Sequence, residues 1–256
     1  MQALYGELAR YYDRFYWWKD YKKEVDFLVE LFNRYGVNVH DILEVACGTG
    51  SHSKLLSSRG FRVTGLDING DMLRVAEEKL GRRARFVKGD MQDLRAAVPE
   101  ASYDAVVCLF SSICYNRTSA ELTRSVRGMY RSAKPGGLVI FDTHFLRRTF
   151  LDGYRGEDIF DDGDVMGARL SISKRRGNQG EISFSYLIYD SPRTIQLRND
   201  VHRFGLFDRE DLVRAMRASG LERVSVFTDW SLGKSSPGEF KDYIFVGRRP
   251  PIRQPT

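Results

Sequence analysis

The stretch that decides the fold is Ile42-Leu43-Glu44-Val45-Ala46-Cys47-Gly48-Thr49-Gly50. Its apolar first half predicts a short strand over residues 40–45. The glycines that follow predict a tight turn, in which a ligand can approach the backbone closely. The spacing Gly48-x-Gly50-x-x-Ser53 lacks the third glycine of the dinucleotide-binding fingerprint. The turn alone is therefore compatible with a dinucleotide site but does not identify the ligand.

Strands and helices alternate downstream of this turn. Further apolar strands are predicted at 61–67, 85–89, 103–109 and 138–143. The helices between them are predicted at 51–59, at 69–80 and from a Thr118/Glu121 capping box up to Pro135-Gly136-Gly137. Strands that are apolar on both faces and alternate with helices are typical of a parallel sheet covered on both sides. We therefore predict an α/β fold with a Rossmann-like, doubly wound, mostly parallel sheet.

The flanking regions follow other patterns. Upstream, apolar residues recur at spacings of four and three, which predicts helix through Gly36. After residue 150, apolar and polar residues alternate, which predicts an inserted antiparallel β-meander of three or four strands. A helix from Asp208 and strands over 224–228 and 243–247 then return to the main sheet. The predicted organisation is an N-terminal helical cap (1–36), a cofactor-binding core (37–150), a β lid insertion (151–206) and a return to the core with the C-terminal tail (207–256).

Three acidic residues belong to successive predicted strands. Glu44 lies in the first strand, Asp67 ends the second, and Asp90 follows the third. The carboxyl ends of parallel strands form the usual ligand site. S-adenosylmethionine presents three donor groups (an α-amine, a ribose diol and an adenine amine) that carboxylates can accept. NAD instead requires a pyrophosphate cradle, from which acids would repel the phosphate.

The chain resembles the class I S-adenosylmethionine-dependent methyltransferases. The resemblance covers residues 40–145 and lies in the ordered stretches LEVACGTG, VTGLDINGDML, VKGDMQDL, YDAVVCLFSSICY and KPGGLVIFD. A finer resemblance, in YYDRFY, KDY, FSSICY and NDVHRFGLF, is to the small-molecule subgroup that includes amino-sugar N,N-dimethyltransferases. It implies an enzyme that transfers a methyl group to a small acceptor, expected to be an amine nitrogen. The expected cofactor is S-adenosylmethionine, the product S-adenosylhomocysteine, and no metal takes part.

The resemblance also implies residue roles. Glu44 would hold the methionyl amine, Asp67 the ribose hydroxyls and Asp90 the adenine amine. The alternative for these acids is a structural role, in which their side chains stabilise a turn or cap a helix. The other expected cofactor-binding residues are Tyr12, Tyr21, Ala46, Cys47, Gly48, Gly50, Ile68, Met72, Met91 and Leu109. The expected catalytic residues are Tyr12, Tyr115 and His202, with structural packing as the alternative for each.

Composition limits the function further. The 256 residues carry a net charge of +6, but the basic residues are scattered, so a nucleic-acid partner is not expected. An RNA methyltransferase remains the first alternative function, and a non-catalytic S-adenosylmethionine-binding protein the second. The three cysteines lack metal-ligand spacing and are expected to be buried thiols. No apolar stretch is long enough to span a membrane, so we expect a cytoplasmic protein. We expect it to be a monomer or a homodimer. Its Arg/Glu-rich composition resembles that of thermophile proteins.

Overall fold

Two sheets carry the fold in this computed structural model, which describes residues 3–190, 194–233 and 241–252. The helices are α1 (Tyr12–Phe15), α2 (Tyr21–Arg34), α3 (Ser51–Ser58), α4 (Gly70–Leu80), α5 (Leu94–Ala97), α6 (Ser119–Ser132) and α7 (Arg209–Ala218). The first five strands are β1 (Asp41–Val45), β2 (Arg62–Asp67), β3 (Arg85–Lys88), β4 (Tyr103–Cys108) and β5 (Ala133–Thr143). The remaining strands are β6 (Arg155–Asp161), β7 (Val165–Arg176), β8 (Gln179–Asp190), β9 (Thr194–Gly205), β10 (Glu222–Thr228) and β11 (Tyr243–Arg248).

The seven-stranded sheet has the order β10-β11-β5-β4-β1-β2-β3. Strands β1 to β5 pair in parallel, and β11 runs antiparallel to both of its neighbours. Helices α2 and α3 pack against one face, and α5, α6 and α7 against the other. The predicted fold class is confirmed. Because the strand order reverses direction at β1, the crevice beside its carboxyl end is the expected ligand site.

The N-terminal region is not a single helix through Gly36, as predicted, although its apolar stripe does form helix α2. Helix α1 ends at Phe15, and α2 begins only at Tyr21, where the Asp20 side chain caps it by accepting a hydrogen bond from the Lys23 amide at 2.8 Å. Phe15 packs with the lid sheet, whereas the buried face of α2 packs on the main sheet. One straight helix cannot pack against both the lid and the main sheet, so the helix is interrupted between Phe15 and Tyr21.

Strand β5 starts earlier than predicted. Ala133 already pairs with Tyr103, and the regular ladder resumes with Leu138 opposite Ala105. The predicted breaker, Pro135-Gly136-Gly137, therefore lies within the strand as an irregularity, with Gly136 at a φ of +85°. A bulge of this kind is locally indistinguishable from a helix-ending turn, because the pairing that defines it is long-range.

The four-stranded antiparallel sheet, β6-β7-β8-β9, is called the lid. Its three longest strands have 12 residues each. Both ends of the lid leave the core at one place, where Leu146 forms a bridge with Phe207. Arg147 strengthens this junction by pairing with Asp208 at 2.8 Å and with Asp211 at 2.9 Å.

The inner face of the lid covers the N-terminal segment, residues 3–16. The apolar cluster between them contains residues of the N-terminal segment, of α4 and of the lid: Leu4, Leu8, Ala9, Tyr11, Tyr12, Phe15, Met72, Phe160, Val165, Tyr186 and Ile188. The segment is also fixed to the glycine turn, since the Asp13 carboxylate accepts hydrogen bonds from Thr49 at 2.6 Å and Ser51 at 3.0 Å. No helix in the described part of the chain combines the length and apolar character of a membrane span.

The β5 irregularity gives a stability prediction. A Cβ atom at Gly137 would lie 2.8 Å from the Asp104 carbonyl oxygen and 2.9 Å from that of Lys134. Both neighbours are backbone atoms, so we expect Gly137→Ala to lower the free energy of unfolding by about 2 kcal/mol, as overpacked cores do. Urea denaturation measures the change.

Gly70→Ala is the matched control. The nearest atom to its Cβ would be the Lys88 Nζ at 4.0 Å, and the position lies in the first turn of α4. Its unfolding free energy should be unchanged or rise by up to about 1 kcal/mol. Equal midpoints for Gly137→Ala and the wild type would contradict the clash.

Candidate active site

A cavity of about 250 Å³ opens at the carboxyl ends of the parallel strands. Its walls come from the glycine turn, the ends of β2 and β3, the N-terminal segment and the turn after β4. It is lined by Tyr5, Tyr12, Ala46, Gly48, Leu66, Asp67, Ile68, Met72, Gly89, Asp90, Met91, Gln92, Ser112 and Tyr115. We call it the cofactor cavity, because it gathers eight of the expected cofactor-binding residues: Tyr12, Ala46, Gly48, Asp67, Ile68, Met72, Asp90 and Met91.

Asp67 holds the glycine turn at the mouth of β2. Its Oδ2 accepts a hydrogen bond from the Gly48 amide at 2.9 Å, and its Oδ1 accepts one from the Asn69 amide at 2.8 Å. Burial raises the pKa of this carboxyl, the charge of Glu44 adds to the increase, and the two amides oppose it. Each oxygen keeps a lone pair for a ligand hydroxyl.

The far end of the cavity suits a purine. Asp90 caps the turn after β3 with its Oδ1, which accepts a hydrogen bond from the Gln92 amide at 2.8 Å, so its Oδ2 is available to a ligand amine. Apolar side chains of Ile68, Met72 and Met91 line the walls. Acceptor oxygens beside apolar walls match the ribose and adenine parts of S-adenosylmethionine, so the residues present fit this group.

Glu44 lies outside the cofactor cavity. Its carboxylate accepts a hydrogen bond from Ser53 and lies 3.5 Å from the Nδ1 atom of His52. The His52 Nε2 atom is 2.6 Å from Glu24, which also pairs with Lys19. Burial alone would lower the pKa of His52, but Glu24 and Glu44 outweigh it and raise the pKa to about 9. The four buried charges therefore alternate in sign from Lys19 to Glu44.

Four other expected cofactor-binding residues also lie outside the lining. The ring of Tyr21 packs edge-on against His52 at 4.8 Å. Cys47 and Leu109 are buried, and the Leu109 carbonyl accepts a hydrogen bond from the Ser112 amide. Gly50 precedes α3 at a φ of +74°. Cys47 and Gly50 belong to the glycine turn but do not line the cavity, whereas Ala46 and Gly48 do.

A hydrogen-bonded chain leads from the lid to the cofactor cavity. The Tyr115 hydroxyl lies 2.6 Å from the Nδ1 atom of His202, whose Nε2 atom lies 3.2 Å from Asp200. On the other side, the Tyr115 hydroxyl lies 2.7 Å from that of Tyr5. We call these four residues the relay chain. Only Tyr5 and Tyr115 line the cavity, so His202 reaches it through Tyr115.

Sequence reasoning missed Tyr5, Asp13 and Asp200. Tyr5 lies in the N-terminal segment upstream of α1, with its ring 6.0 Å from that of Tyr12. Asp200 stands two residues before His202 in a strand, so both point to the same face.

A second, larger cavity of about 600 Å³ lies between the lid, the start of α2 and the end of β5. Its aromatic lining residues are Trp18, Phe110, Phe145, Phe150, Tyr154, Phe184 and Trp230. Its charged lining residues are Lys19, Asp20, Lys23, Glu24, Asp229, Lys241 and Asp242. Phe184 lies on the wall between the cavity and the relay chain, because its ring is 5.0 Å from that of His202.

Two titratable groups at the end of β5 stay uncharged near neutral pH. Burial lowers the pKa of His144, which lines the second cavity, to about 4. Burial also raises the pKa of Asp142 to about 8, with the nearby Glu24 carboxylate adding to the increase. The His144 Nδ1 atom lies 2.8 Å from the Ser111 hydroxyl. His144 is thus a neutral hydrogen-bonding group.

Comparisons with known proteins agree with this geometry. The family model described as a methyltransferase domain matches residues 42–137. The dTDP-3-amino-3,6-dideoxy-alpha-D-glucopyranose N,N-dimethyltransferase of Streptomyces fradiae is 33% identical over 86% of this chain and 86% of that protein.

Solved structures give the same result. A sugar N-methyltransferase from a Streptoalloteichus species has a TM-score of 0.79 at 31% identity, covering 91% of this chain and 89% of that one. An S-adenosylmethionine-bound amino pentose methyltransferase from Micromonospora echinaspora has a TM-score of 0.75 at 27% identity, covering 90% and 92%.

The cavity geometry predicts how the cofactor is held. Asp67→Ala removes a carboxylate that both shapes the turn and faces the cavity, so we expect S-adenosylhomocysteine to bind at least tenfold more weakly, a loss of about 1.4 kcal/mol. Isothermal titration calorimetry measures this, with NAD expected not to bind.

Asp71→Ala is the control for this measurement. Asp71 lies four residues further along the chain, and its carboxylate pairs with Arg74 at 2.8 Å outside the cavity lining. Its affinity should match that of the wild type. Equal affinities for all three proteins, or NAD binding, would refute the assignment of the cavity.

Proposed function

This chain belongs to the class I S-adenosylmethionine-dependent methyltransferases, in the group of the amino-sugar N-methyltransferases, and we propose that its acceptor is the amino group of a nucleotide-linked sugar. The relay chain is the observation that carries the proposal beyond the family. An amine attacks only through its lone pair, so a proton must leave the nitrogen. A buried path for that proton ends at the cofactor cavity.

The hydrogen bonds of the relay chain have one consistent direction. When the Nε2–H group of His202 donates to Asp200, its Nδ1 atom accepts from the Tyr115 hydroxyl. The Tyr115 oxygen then accepts from Tyr5. A proton that leaves the acceptor nitrogen enters at the Tyr5 oxygen, and successive shifts protonate Nδ1 of His202. The Asp200 carboxylate stabilises the imidazolium that results.

Burial and neighbouring groups shift the pKa values of Tyr5, Tyr115 and Asp200 in directions that suit proton transfer. Burial raises the pKa of both Tyr5 and Tyr115, so each passes a proton on and does not rest as a phenolate. Burial also acts against the Asp200 carboxylate, but His202 and the Leu4 and Val201 amides outweigh it and lower the pKa of Asp200. Asp200 therefore stays ionised at neutral pH, as a partner of His202 must.

The second cavity is proposed to hold the acceptor. Aromatic walls provide stacking surfaces for a nucleobase and a sugar ring. Lys23 suits the phosphates of a nucleotide sugar, and the amino group of that sugar then extends past Tyr16 towards Tyr5. Tyr16 separates the two cavities, with its ring 4.7 Å from Tyr12 and 4.9 Å from Phe110.

The remaining roles follow from the cofactor cavity. S-adenosylmethionine, when bound, supplies a methyl group on a positively charged sulfur. We propose that Asp67 holds its ribose, that Asp90 holds its adenine amine, and that Tyr12 lies beside the methyl group. Glu44 and Tyr21 act at the methionyl end through their contacts with His52. The lid and the N-terminal segment exclude water, so the reaction depends on alignment, which lowers the barrier by about 7–11 kcal/mol in well-oriented systems.

Interrupting the relay chain tests this proposal. Tyr115→Phe removes the hydroxyl that links Tyr5 to His202 by hydrogen bonds, so we expect kcat at pH 7 to fall about 100-fold with dTDP-3-amino-3,6-dideoxyglucose as acceptor. The rate should recover as pH rises, because the acceptor amine then loses its proton to water. His202→Gln should give the same pH profile, and the double variant should lose no more than either single variant.

Tyr130→Phe is the control for this pair. Tyr130 lies on α6, away from both cavities, under the guanidinium of Arg249 at 4.8 Å. It should keep the wild-type rate. A Tyr115→Phe enzyme with an unchanged kcat, or with the same fractional loss at every pH, would rule out proton transfer through Tyr115.

Two neighbouring tryptophans test the acceptor cavity. Trp18 lines the second cavity, whereas Trp17 does not and is 71% exposed. Trp18→Ala removes a stacking surface, so the acceptor KM should rise about tenfold, equivalent to about 1.4 kcal/mol, with the cofactor Kd unchanged. Trp17→Ala should leave both constants unchanged. Equal effects of the two substitutions on KM would place the acceptor elsewhere.

A further inference from the structure

A fully buried amide contacts the wall of the cofactor cavity from outside. Asn116 follows the turn Ser112–Tyr115, and it is 0% exposed. Ser125, which lies beside it on α6, is also 0% exposed. A buried amide without hydrogen bonds would cost stability, so the bonds that Asn116 makes show what it holds in place.

Both N–H groups and the oxygen of this amide have partners. The Asn116 Nδ2 atom donates to the Ile113 carbonyl oxygen at 2.9 Å and to the Met91 Sδ atom at 3.5 Å. The Asn116 Oδ1 atom accepts a hydrogen bond from the Ser125 hydroxyl at 2.8 Å. A carbonyl oxygen and a thioether sulfur only accept hydrogen bonds. The amide nitrogen must therefore face Ile113 and Met91, which gives the side chain one orientation.

Met91 is the partner that faces the cofactor. Its side chain lines the cofactor cavity next to Asp90. A methionine side chain has three rotatable bonds and adapts to irregular spaces. A mobile thioether would lose rotamer freedom when a purine packs on it, and this loss would weaken binding. A hydrogen bond to the sulfur restricts the Met91 torsions before the cofactor arrives.

The other two hydrogen bonds of Asn116 connect the amide to the core. Ile113 is a fully buried member of the apolar cluster on one face of the main sheet. Ser125 lies on the buried face of α6, which packs against the same cluster. A buried network in which every member is satisfied specifies one arrangement of its side chains. The core therefore fixes the amide, and the amide fixes the Met91 sulfur.

We propose that Asn116 is a positioning residue for the methyl donor. It holds the Met91 thioether where that group packs on the adenine ring, and it acts on the cofactor only through Met91. This inference rests on the proposed placement of the adenine beside Asp90 and Met91. It gives a role in cofactor affinity to a side chain that lines neither of the two cavities.

A double-mutant cycle, measured by isothermal titration calorimetry with S-adenosylhomocysteine, tests the proposal. Asn116→Leu removes both donors with little change in volume, so we expect the Kd to rise about fivefold, equivalent to about 1 kcal/mol. Met91→Leu removes the sulfur acceptor and also conserves volume. In the Met91→Leu protein, Asn116→Leu should raise the Kd no more than about twofold, because the bond to the sulfur is already absent.

Ser125→Ala is the matched control. It removes the hydrogen bond to Asn116 Oδ1 but leaves both N–H bonds of the amide in place. Urea denaturation should show a loss of stability, whereas the Kd should stay within about twofold of the wild-type value. If Asn116→Leu raised the Kd by the same factor with Met or Leu at position 91, the proposal would be overturned.

Asp90→Ala separates a failure of this inference from a failure of the proposed cofactor placement. If Asp90→Ala weakens S-adenosylhomocysteine binding and Asn116→Leu does not, the adenine placement stands and the role of Asn116 is refuted. If neither Asp90→Ala nor Met91→Leu changes the Kd, the adenine lies elsewhere and both proposals fail.

The wild-type protein provides a test that needs no Asn116 variant. NMR of isotope-labelled methionine methyl groups, with the Met91 signal assigned through Met91→Leu, reports the rotamers of that side chain. We expect one rotamer in the cofactor-free protein and the same rotamer after S-adenosylhomocysteine binds. Rotamer averaging in the cofactor-free protein would contradict the proposal, even if Asn116→Leu failed to fold.

Discussion

The burial of the N-terminal segment between the lid and the core is the interaction on which the rest of this structure depends. The inner face of the lid has its own apolar residues, and a single antiparallel sheet cannot bury them alone. Residues 3–16 supply that missing layer. The same packing positions Tyr5 and Tyr12 against the cofactor cavity, and Asp13 ties the segment to the glycine turn. Stability and active-site geometry are therefore consequences of one packing arrangement.

Buried charge is handled in two different ways around the site. The chain from Lys19 to Glu44 alternates in sign, so each charge has an opposite neighbour that offsets its desolvation. Asp142 has no oppositely charged neighbour in salt-bridge contact among the residues that the structure describes, and the protein accommodates it by keeping it protonated near neutral pH. The first arrangement fixes α2 against α3 and β1. The second leaves a neutral carboxyl beside His144, where the end of β5 meets the second cavity.

The sequence predicted the parts of the molecule that local pattern controls. The five parallel strands follow from apolar runs, and Asp67 and Asp90 follow from their places at strand ends, since parallel strands bring those ends together. Tyr5, Asp13 and the junction of Tyr115 with His202 depend on segments that are far apart in the chain, which no local pattern encodes. The interruption of the helix before α2 was missed because an amphipathic pattern does not show whether a segment packs on the lid or on the main sheet. The start of β5 was missed because its pairing with Tyr103 is long-range.

The junction at which the lid joins the core has an evolutionary meaning. Leu146 and Phe207 lie side by side, although about sixty residues separate them in the chain. An insertion whose two ends meet can be lengthened, shortened or replaced while the host domain keeps its fold. The methyltransferase-domain match stops at residue 137, before this junction. Natural selection can therefore change the length of the lid without interrupting any strand of the seven-stranded sheet.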